Sequence, residues 1–548
     1  MPDTSAVASV AQAAVLWATR ATRAALAACI WLAAAWMAPP VAAQLLATGD
    51  PHASGAVLWA RVPAAGAFVF EVSQEAHFSA PQRRVVARAD EDTGLTMQVE
   101  VAGLASDTRY HWRLVQADGA ADGTPLPARA SFVTAPGPAE PRPVKVLFGA
   151  DLGGQGYGRL IPGNPSKLEG WPVFGPMREE SADFFVALGD MLYSDRPVTA
   201  QAPDPAYPKG NAFQIPKPGP GHVATLDDFR RDWLYHREDP LHDRFLRTTP
   251  LVATWDDHEL VNDSGLPELL DGPTAQDLQA DARLRQGDPA RPRIDGKRQS
   301  VFYNPALAAA GRRAMFEWNP IPVLPATARA DPASRRLYRS LRWGAHLELF
   351  VLDTRSYRDP RYRRDTDAAP KTMLGAMQKA WLLDGLRRST ATWQVVVSSV
   401  PLSIEGGSER DAQGQIYRDS WPAGNPGNPY GYARELREIA QAIAARPGAN
   451  VLFLTGDQHF TNLFAYDVNG DGRVDFHEAN TGSLRAGAGS GQVDLTLNPR
   501  RLYTDEGRVE HTYGALRIEG ESGRLVVQFH DAAGRERPGA RLELEPRR

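Results

Sequence analysis

The sequence predicts a two-part fold: an all-β domain over residues 44–138, then an α/β domain over residues 144–548. Three observations predict it. The first part alternates apolar and polar side chains at period two, in short runs separated by Gly- and Pro-containing turns. From Val144 the pattern changes to short β-branched apolar runs with helical patterns between some of them. Five of those runs end in an acidic turn: Val144 to Gly149 before Asp151, Phe184 to Leu188 before Asp190, Leu251 to Trp255 before Asp256 and Asp257, Leu347 to Leu352 before Asp353, and Val451 to Thr455 before Asp457. In α/β folds, ligands sit off the carboxyl ends of strands. One strand ending in Asp is common, but five in one domain exceed what turn chemistry explains.

The expected β-strands of the first part are Gly55 to Val62, Phe68 to Ser73, Thr96 to Val101 and Thr108 to Val115. The stretch from Leu104 to Arg113, with Tyr110 at its centre, resembles the strand and tyrosine corner of a fibronectin-type sandwich. The Pro-rich run Ala135 to Pro143 reads as a linker. In the second part, Leu374 to Arg388 reads as a helix with Leu374, Met377, Trp381, Leu382 and Gly385 on one face, and Ala433 to Arg446 as another helix. Arg196 to Ala224, rich in Pro and Gly, and Ser264 to Gln299, polar and aperiodic, read as surface excursions.

Residues 1–43 read as a Sec-type export signal. Arg20 and Arg23 are basic, Ala24 to Met37 is apolar but short for a membrane span, and Val41-Ala42-Ala43 fits a cleavage site. Arg20 and Arg23 are not adjacent, which leaves a twin-arginine signal unsupported. The one cysteine, Cys29, lies inside this segment, so the processed chain is expected to lack disulfides and thiolate ligands. A net charge of −4 gives no basic surface for nucleic acid or a polybasic membrane anchor. A periplasmic or secreted monomer without an integral membrane segment is the expectation.

The densest polar cluster is Trp255-Asp256-Asp257-His258-Glu259-Leu260-Val261-Asn262-Asp263, directly after an apolar run. Carboxylate and amide oxygens suit hard metals, and a histidine beside them suits proton transfer to a leaving group. Gly189-Asp190-x-x-Tyr193 offers a carboxylate and a phenol. In Gly456-Asp457-Gln458-His459 the side chains of Asp457 and His459 would reach one ion if the turn stays extended, whereas a helix start would make Asp457 a cap.

Taken in order, Asp151, Gly189-Asp190-x-x-Tyr193, the cluster at 255–259, Asp353-Thr-Arg355-x-Tyr-Arg358 and Gly456-Asp457-x-His459 resemble the PhoD-type alkaline phosphatases of the calcineurin-like metallophosphoesterase superfamily. Leu374-Gly-x-x-Gln378-x-x-Trp381 and Thr481-Gly-Ser-Leu-Arg-Ala-Gly487 resemble the same family. The resemblance implies a two-sheet αββα sandwich and an exported phosphoric ester hydrolase, monoesterase or diesterase, for small phosphate esters. It implies two or more divalent or trivalent metals, Fe3+ and Ca2+ among them, that generate hydroxide near neutral pH.

Residue by residue, the resemblance makes Asp190 the bridging carboxylate and Tyr193 a phenolate ligand of iron, as in purple acid phosphatases, which share Gly-Asp-x-x-Tyr. It makes Asp257, Asp457 and His459 metal ligands, Asn262 a further candidate, His258 the acid for the leaving group and Arg355 a phosphate binder. The family often has a cysteine after the first strand. Here that turn reads Phe148-Gly-Ala-Asp151, so Asp151 takes the ligand position and hardens the site. Val395 to Ser399 lacks the Val-x-x-His of purple acid phosphatases, which favours the PhoD type.

A second site reads independently. Asp467, Asn469, Asp471, Gly472, Arg473, Asp475 and Glu478 fit the spacing of a Ca2+-binding loop, with the Arg473 carbonyl as one ligand and Glu478 in the twelfth position. Its flanks read as strands, so one structural Ca2+ in a hairpin is expected. A rival reading of the whole chain is a calcium-dependent binding protein with an inactive phosphatase-like domain.

Overall fold

The computed structural model describes residues 44–117, 124–163, 168–203, 211–219, 223–280, 304–322, 335–407, 409–424 and 427–547. The expected export signal lies outside these residues, as does 281–299 of the second excursion.

Two large sheets stack face to face. The ten-stranded sheet runs in the order Glu536–Leu544, Leu525–Asp531, Thr512–Ile518, Val144–Leu152, Phe184–Ala187, Leu251–Ala253, Leu45–His52, Gly55–Arg61 and Thr96–Ala102, with Ser483–Arg485 added beside Val144–Leu152. The seven-stranded sheet runs Arg339–Trp343, Leu347–Val351, Trp393–Val397, Val451–Thr455, Phe476–Asn480, Asn462–Tyr466 and Pro499–Thr504.

Strands buried on both faces need apolar residues at every position, which is why these runs do not alternate. Phe184–Ala187, Trp393–Val397 and Val451–Thr455 are buried throughout. Val146, Phe148, Phe184, Val186 and Val252 point into the space between the sheets, opposite Leu349, Val351, Val395, Val397 and Leu454. Their neighbours in sequence, Leu147, Phe185, Ala187, Leu251 and Ala253, face outward under helices Phe174–Glu179, Leu226–Arg237, Pro240–Leu246 and Pro305–Trp318. Gly375–Arg388 and Ala433–Ala444 cover the other sheet in the same way. The result is the expected αββα layering.

Helix Gly375–Arg388 corrects one detail. Its buried residues are Gln378, Leu382 and Leu386, a row at i, i+4, i+8, while Met377 is 80% exposed.

The all-β part is present but is not separate. Strand Leu45–His52 pairs in parallel with Leu251–Ala253, with Gly49 opposite Leu251, and Gly55–Arg61 and Thr96–Ala102 follow it. The three therefore extend the ten-stranded sheet. A four-stranded sheet (Arg83–Ala89, Gly66–Ser73, Arg109–Gln116, Pro125–Val133) packs on them through Phe68, Phe70, Trp112 and Leu58. Trp112 Nε1 donates to Thr48 Oγ1 at 2.9 Å across the layers. At the expected corner, the Tyr110 hydroxyl accepts the Ala105 N–H at 3.0 Å.

Candidate metal centre

The register of the parallel strands brings the acidic turns together. Gly149, Ala187 and Ala253 are aligned across the ten-stranded sheet. Asp151, Asp190 and Asp256 each follow within three residues, at one end of that sheet. In the facing sheet Val351, Val397 and Leu454 are aligned, and Asp353, Ser399 and Asp457 follow them.

The turns are strained. Asp151, Asp190, Asp457 and His459 have φ of 61°, 51°, 73° and 61°, a left-handed conformation that costs a non-glycine residue about 1–3 kcal/mol. Gly189 has φ 113°, and a Cβ there would lie 2.7 Å from that of Asp256, so only glycine allows the two turns to touch. Glu259 holds them in place. Its carboxylate accepts the N–H groups of Asp190 at 3.0 Å, Met191 at 2.8 Å and Asp256 at 2.8 Å.

Four overlapping groups of buried or half-buried ligand atoms result, each within 4.8 Å: Asp151, Asp190 and His459; Asp190, Asp257 and His258; Asp256, Asp257 and Asp457; and Asp257, Asp263 and Asp419. Asp190 belongs to the first two. The Tyr193 hydroxyl joins the first, 2.7 Å from His459 Nε2 and 3.3 Å from Asp151 Oδ1. The left-handed backbone at both Asp457 and His459 sends their side chains to different groups. This corrects the expectation that the two reach one ion.

His258 Nδ1 sits 2.7 Å from Asp195 Oδ1, and Asp195 Oδ2 accepts the Asn262 N–H at 3.0 Å. This bond brings the Asn262 backbone to the site. Ser399, where the purple acid phosphatase motif would place histidine, donates to Asp256 Oδ1 at 2.6 Å.

Burial, then the charges of Asp257, Asp256, Glu259 and Asp151, pushes the Asp190 carboxyl well above its usual range. Burial and Asp190 likewise raise the Tyr193 phenol, and burial and Asp256 raise Asp457. Burial favours a neutral His258, but Asp195 and Asp257 outweigh it and lift the ring to about 9.

Among the described residues Asp151 Oδ2, Asp190 Oδ2, Asp256 Oδ2 and Asp257 Oδ1 are buried without a hydrogen-bond partner. Buried carboxylates crowded together with orphan oxygens call for cations. The donors are hard oxygens with imidazole and phenol, a set that fits divalent or trivalent metals.

The Arg355 guanidinium is fully buried, with Nε 2.5 Å from Asp256 and Nη1 2.7 Å from Asp419. It braces the carboxylates, while its Nη2 is buried without a hydrogen-bond partner, 3.9 Å from Asp257. Asp353 is also spent on structure: Oδ1 accepts from Trp255 Nε1 at 2.8 Å and from the Ser356 N–H at 2.9 Å, and Gln378 clamps its backbone.

The Ca2+ loop needs a correction. Glu478 lies in strand Phe476–Asn480 and is fully buried. It accepts from the Leu402 N–H at 3.0 Å, from Thr455 Oγ1 at 2.7 Å and from the Tyr466 hydroxyl, so it does not close the loop as a twelfth ligand. Asp467, Asn469 and Asp471 do gather around the turn: Asp467 accepts the N–H groups of Asp471 at 3.0 Å and Gly472 at 2.9 Å. Asp475 turns back to the Val468 N–H at 2.8 Å. The Arg473 N–H donates to Asp471 Oδ1 at 2.9 Å.

Asp195, Glu259 and Asp419 were not singled out from the sequence. Glu259 sits in a quoted motif and Asp195 two residues beyond another, but the partners His258 and Asp190 that give them their roles are more than 60 residues away.

Stacked sheets with helices outside, and carboxylates meeting from both sheets at one end, make this a metallophosphoesterase-like protein. The chain belongs to the PhoD-like phosphatase family. Residues 152–529 match that family and residues 28–136 match its N-terminal domain. Alkaline phosphatase D of Bacillus subtilis (strain 168) is 24% identical over 442 residues, which cover 76% of this chain and 64% of that protein. A solved structure of PhoD superposes with a TM-score of 0.67 at 21% identity, over 91% of this chain and 88% of that one. A purple acid phosphatase from yellow lupin (Lupinus luteus) seeds has the same fold at a TM-score of 0.52 and 12% identity, over 92% of this chain and 74% of the lupin chain. Among the described residues no helix is long and apolar enough to cross a membrane.

Proposed function

We propose that this chain is an exported, metal-dependent hydrolase of small phosphate esters, as its family membership suggests. The observation that carries the proposal is Asp190, whose carboxylate belongs both to the group with Asp151 and His459 and to the group with Asp257 and His258. A shared carboxylate fits two ions held side by side, with Tyr193 and His459 on one and Asp257 on the other. Asp256 and Asp457 complete the acidic wall. Bound metals supply charge for the phosphoryl oxygens and lower the pKa of water.

The chain's own residues do the rest. Glu259 and the left-handed turns hold the carboxylates in place before substrate arrives. Asp195 holds Nδ1 of His258, which leaves Nε2 to carry a proton for the leaving oxygen. Arg355 offsets the repulsion between Asp256 and Asp419. Trivalent iron beside the Tyr193 phenol and calcium among the remaining oxygens are the proposed metals, with a further calcium in the Asp467–Asp475 turn, which lacks Glu478. Export rests on the signal-like residues 1–43.

Asp190→Ala tests the proposal. The variant should lose hydrolysis of both a chromogenic phosphomonoester and a phosphodiester. Full activity on both would contradict it.

A further inference from the structure

We propose that a buried Lys217–Asp232 pair is a positioning strap for the turn that carries Tyr193 and Asp195, and thereby sets how tightly the centre holds metal. The proposal rests on Tyr193 being a metal ligand and goes beyond it, to a residue in the Pro-rich excursion.

Lys217 follows the hairpin of Gln201–Pro203 and Asn211–Phe213. Through Lys217 the excursion therefore reaches inside. Lys217 Nζ donates to the Tyr193 carbonyl at 2.8 Å and to Asp232 Oδ2 at 2.8 Å. The two side chains are only 3% and 4% exposed. Asp232 is on helix Leu226–Arg237, which a reciprocal Thr225–Asp228 cap starts firmly. The Lys217 backbone is pinned in turn, its N–H on the Val198 carbonyl at 3.2 Å.

The far side of the Tyr193 turn is held by the site itself. The Ser194 N–H donates to the His258 carbonyl at 2.9 Å, and Ser194 Oγ to the Leu260 carbonyl at 2.5 Å. The strap ties the Tyr193 carbonyl, which also accepts the Arg196 N–H at 3.3 Å, to a helix outside the metal cluster, and the Val223 N–H on the Ser194 carbonyl at 2.9 Å ties the next residue to the approach to that helix. Two residues on, Asp195 holds His258. A shift of this carbonyl would move the phenol and the Asp195 carboxylate together.

Stability alone is a poor reason for the pair. Burying two charges costs about as much as their attraction returns, and apolar residues of similar volume often serve as well or better. Groups that orient metal ligands typically change metal affinity or activity by roughly 10–100-fold when removed.

The test compares wild type, Lys217→Met and the double variant Lys217→Met/Asp232→Leu. The readouts are melting temperature, metal per chain after dialysis against a weak chelator, and kcat and KM on a chromogenic phosphomonoester. The double variant should melt near or above wild type, since no charge is left unpaired. It should lose metal roughly 10–100-fold more readily, and kcat should fall by a similar factor with KM little changed. The double variant decides the matter if Lys217→Met alone does not fold. A folded double variant that retains metal and turns over like wild type would overturn the strap. If wild type holds metal but cleaves no phosphate ester, the phosphatase reading fails, while a difference in metal retention still supports the strap.

Discussion

His258 Nδ1 lies 2.7 Å from a carboxylate oxygen of Asp195, and both side chains are buried. A carboxylate on Nδ1 fixes the tautomer and leaves Nε2 as the working nitrogen. The pair sits against the group formed by Asp190 and Asp257. It supplies the partner that holds His258 for the proton-transfer role its motif suggests.

Asp195→Asn should therefore cost roughly 10²–10⁴-fold in kcat where the leaving group needs a proton, the range of a lost general acid. Phenyl phosphate, with a poor leaving group, should show the full loss. p-Nitrophenyl phosphate, with a good one, should show much less. Equal losses on both substrates would mean that Asp195 holds the fold and not the proton donor.

The Asp467 turn and Glu478 separate into two effects. Calcium at about 100 times its dissociation constant stabilises a folded site by about 2.7 kcal/mol. Thermal melts with and without calcium should show an increment that Asp467→Ala reduces, leaving only what calcium at the metal centre contributes. Glu478→Gln should leave the increment but lower stability in either buffer by about 1–3 kcal/mol, because it disturbs the bonds to Leu402, Thr455 and Tyr466. Loss of the calcium increment in Glu478→Gln would restore Glu478 as a ligand.

Asp183 predicts a pH effect away from the metals. Burial pushes its carboxyl up to about 6, although it accepts the Lys145 N–H at 2.8 Å. The folded state therefore binds this proton more tightly than the unfolded chain does. Its contribution is fully present below about pH 4 and is lost as pH rises through 6. Two pKa units correspond to about 3 kcal/mol. Asp183→Asn should match wild type near pH 4 and be more stable at pH 8 by up to that order, as read from denaturant midpoints. An equal effect at both pH values would refute the assignment.

The strand ends were legible because each is a local pattern, an apolar run closed by Asp or Gly-Asp. Asp151, Asp190, Asp257, Asp457 and His459 fall in neighbouring, overlapping groups of possible ligand atoms. What was not legible depends on distant pairing. Gly49 against Leu251 joins the first domain to the large sheet, and no local pattern marks a parallel partner two hundred residues away. Arg355 was visible as a conspicuous cation, but Asp419, which helps bury it, lies 64 residues on in an irregular segment. Glu478 fits the loop spacing and still faces the core, because a strand decides its side by the sheet and not by the motif.

The most direct test of the central claim is metal content measured together with hydrolysis. The purified protein is assayed on a phosphomonoester and a phosphodiester, stripped with a chelator, and assayed again after Fe3+ and Ca2+ are returned. The account predicts at least two metal ions per chain at the centre, loss of hydrolysis on stripping and recovery on add-back. Unchanged hydrolysis by protein shown to be metal-free would contradict it.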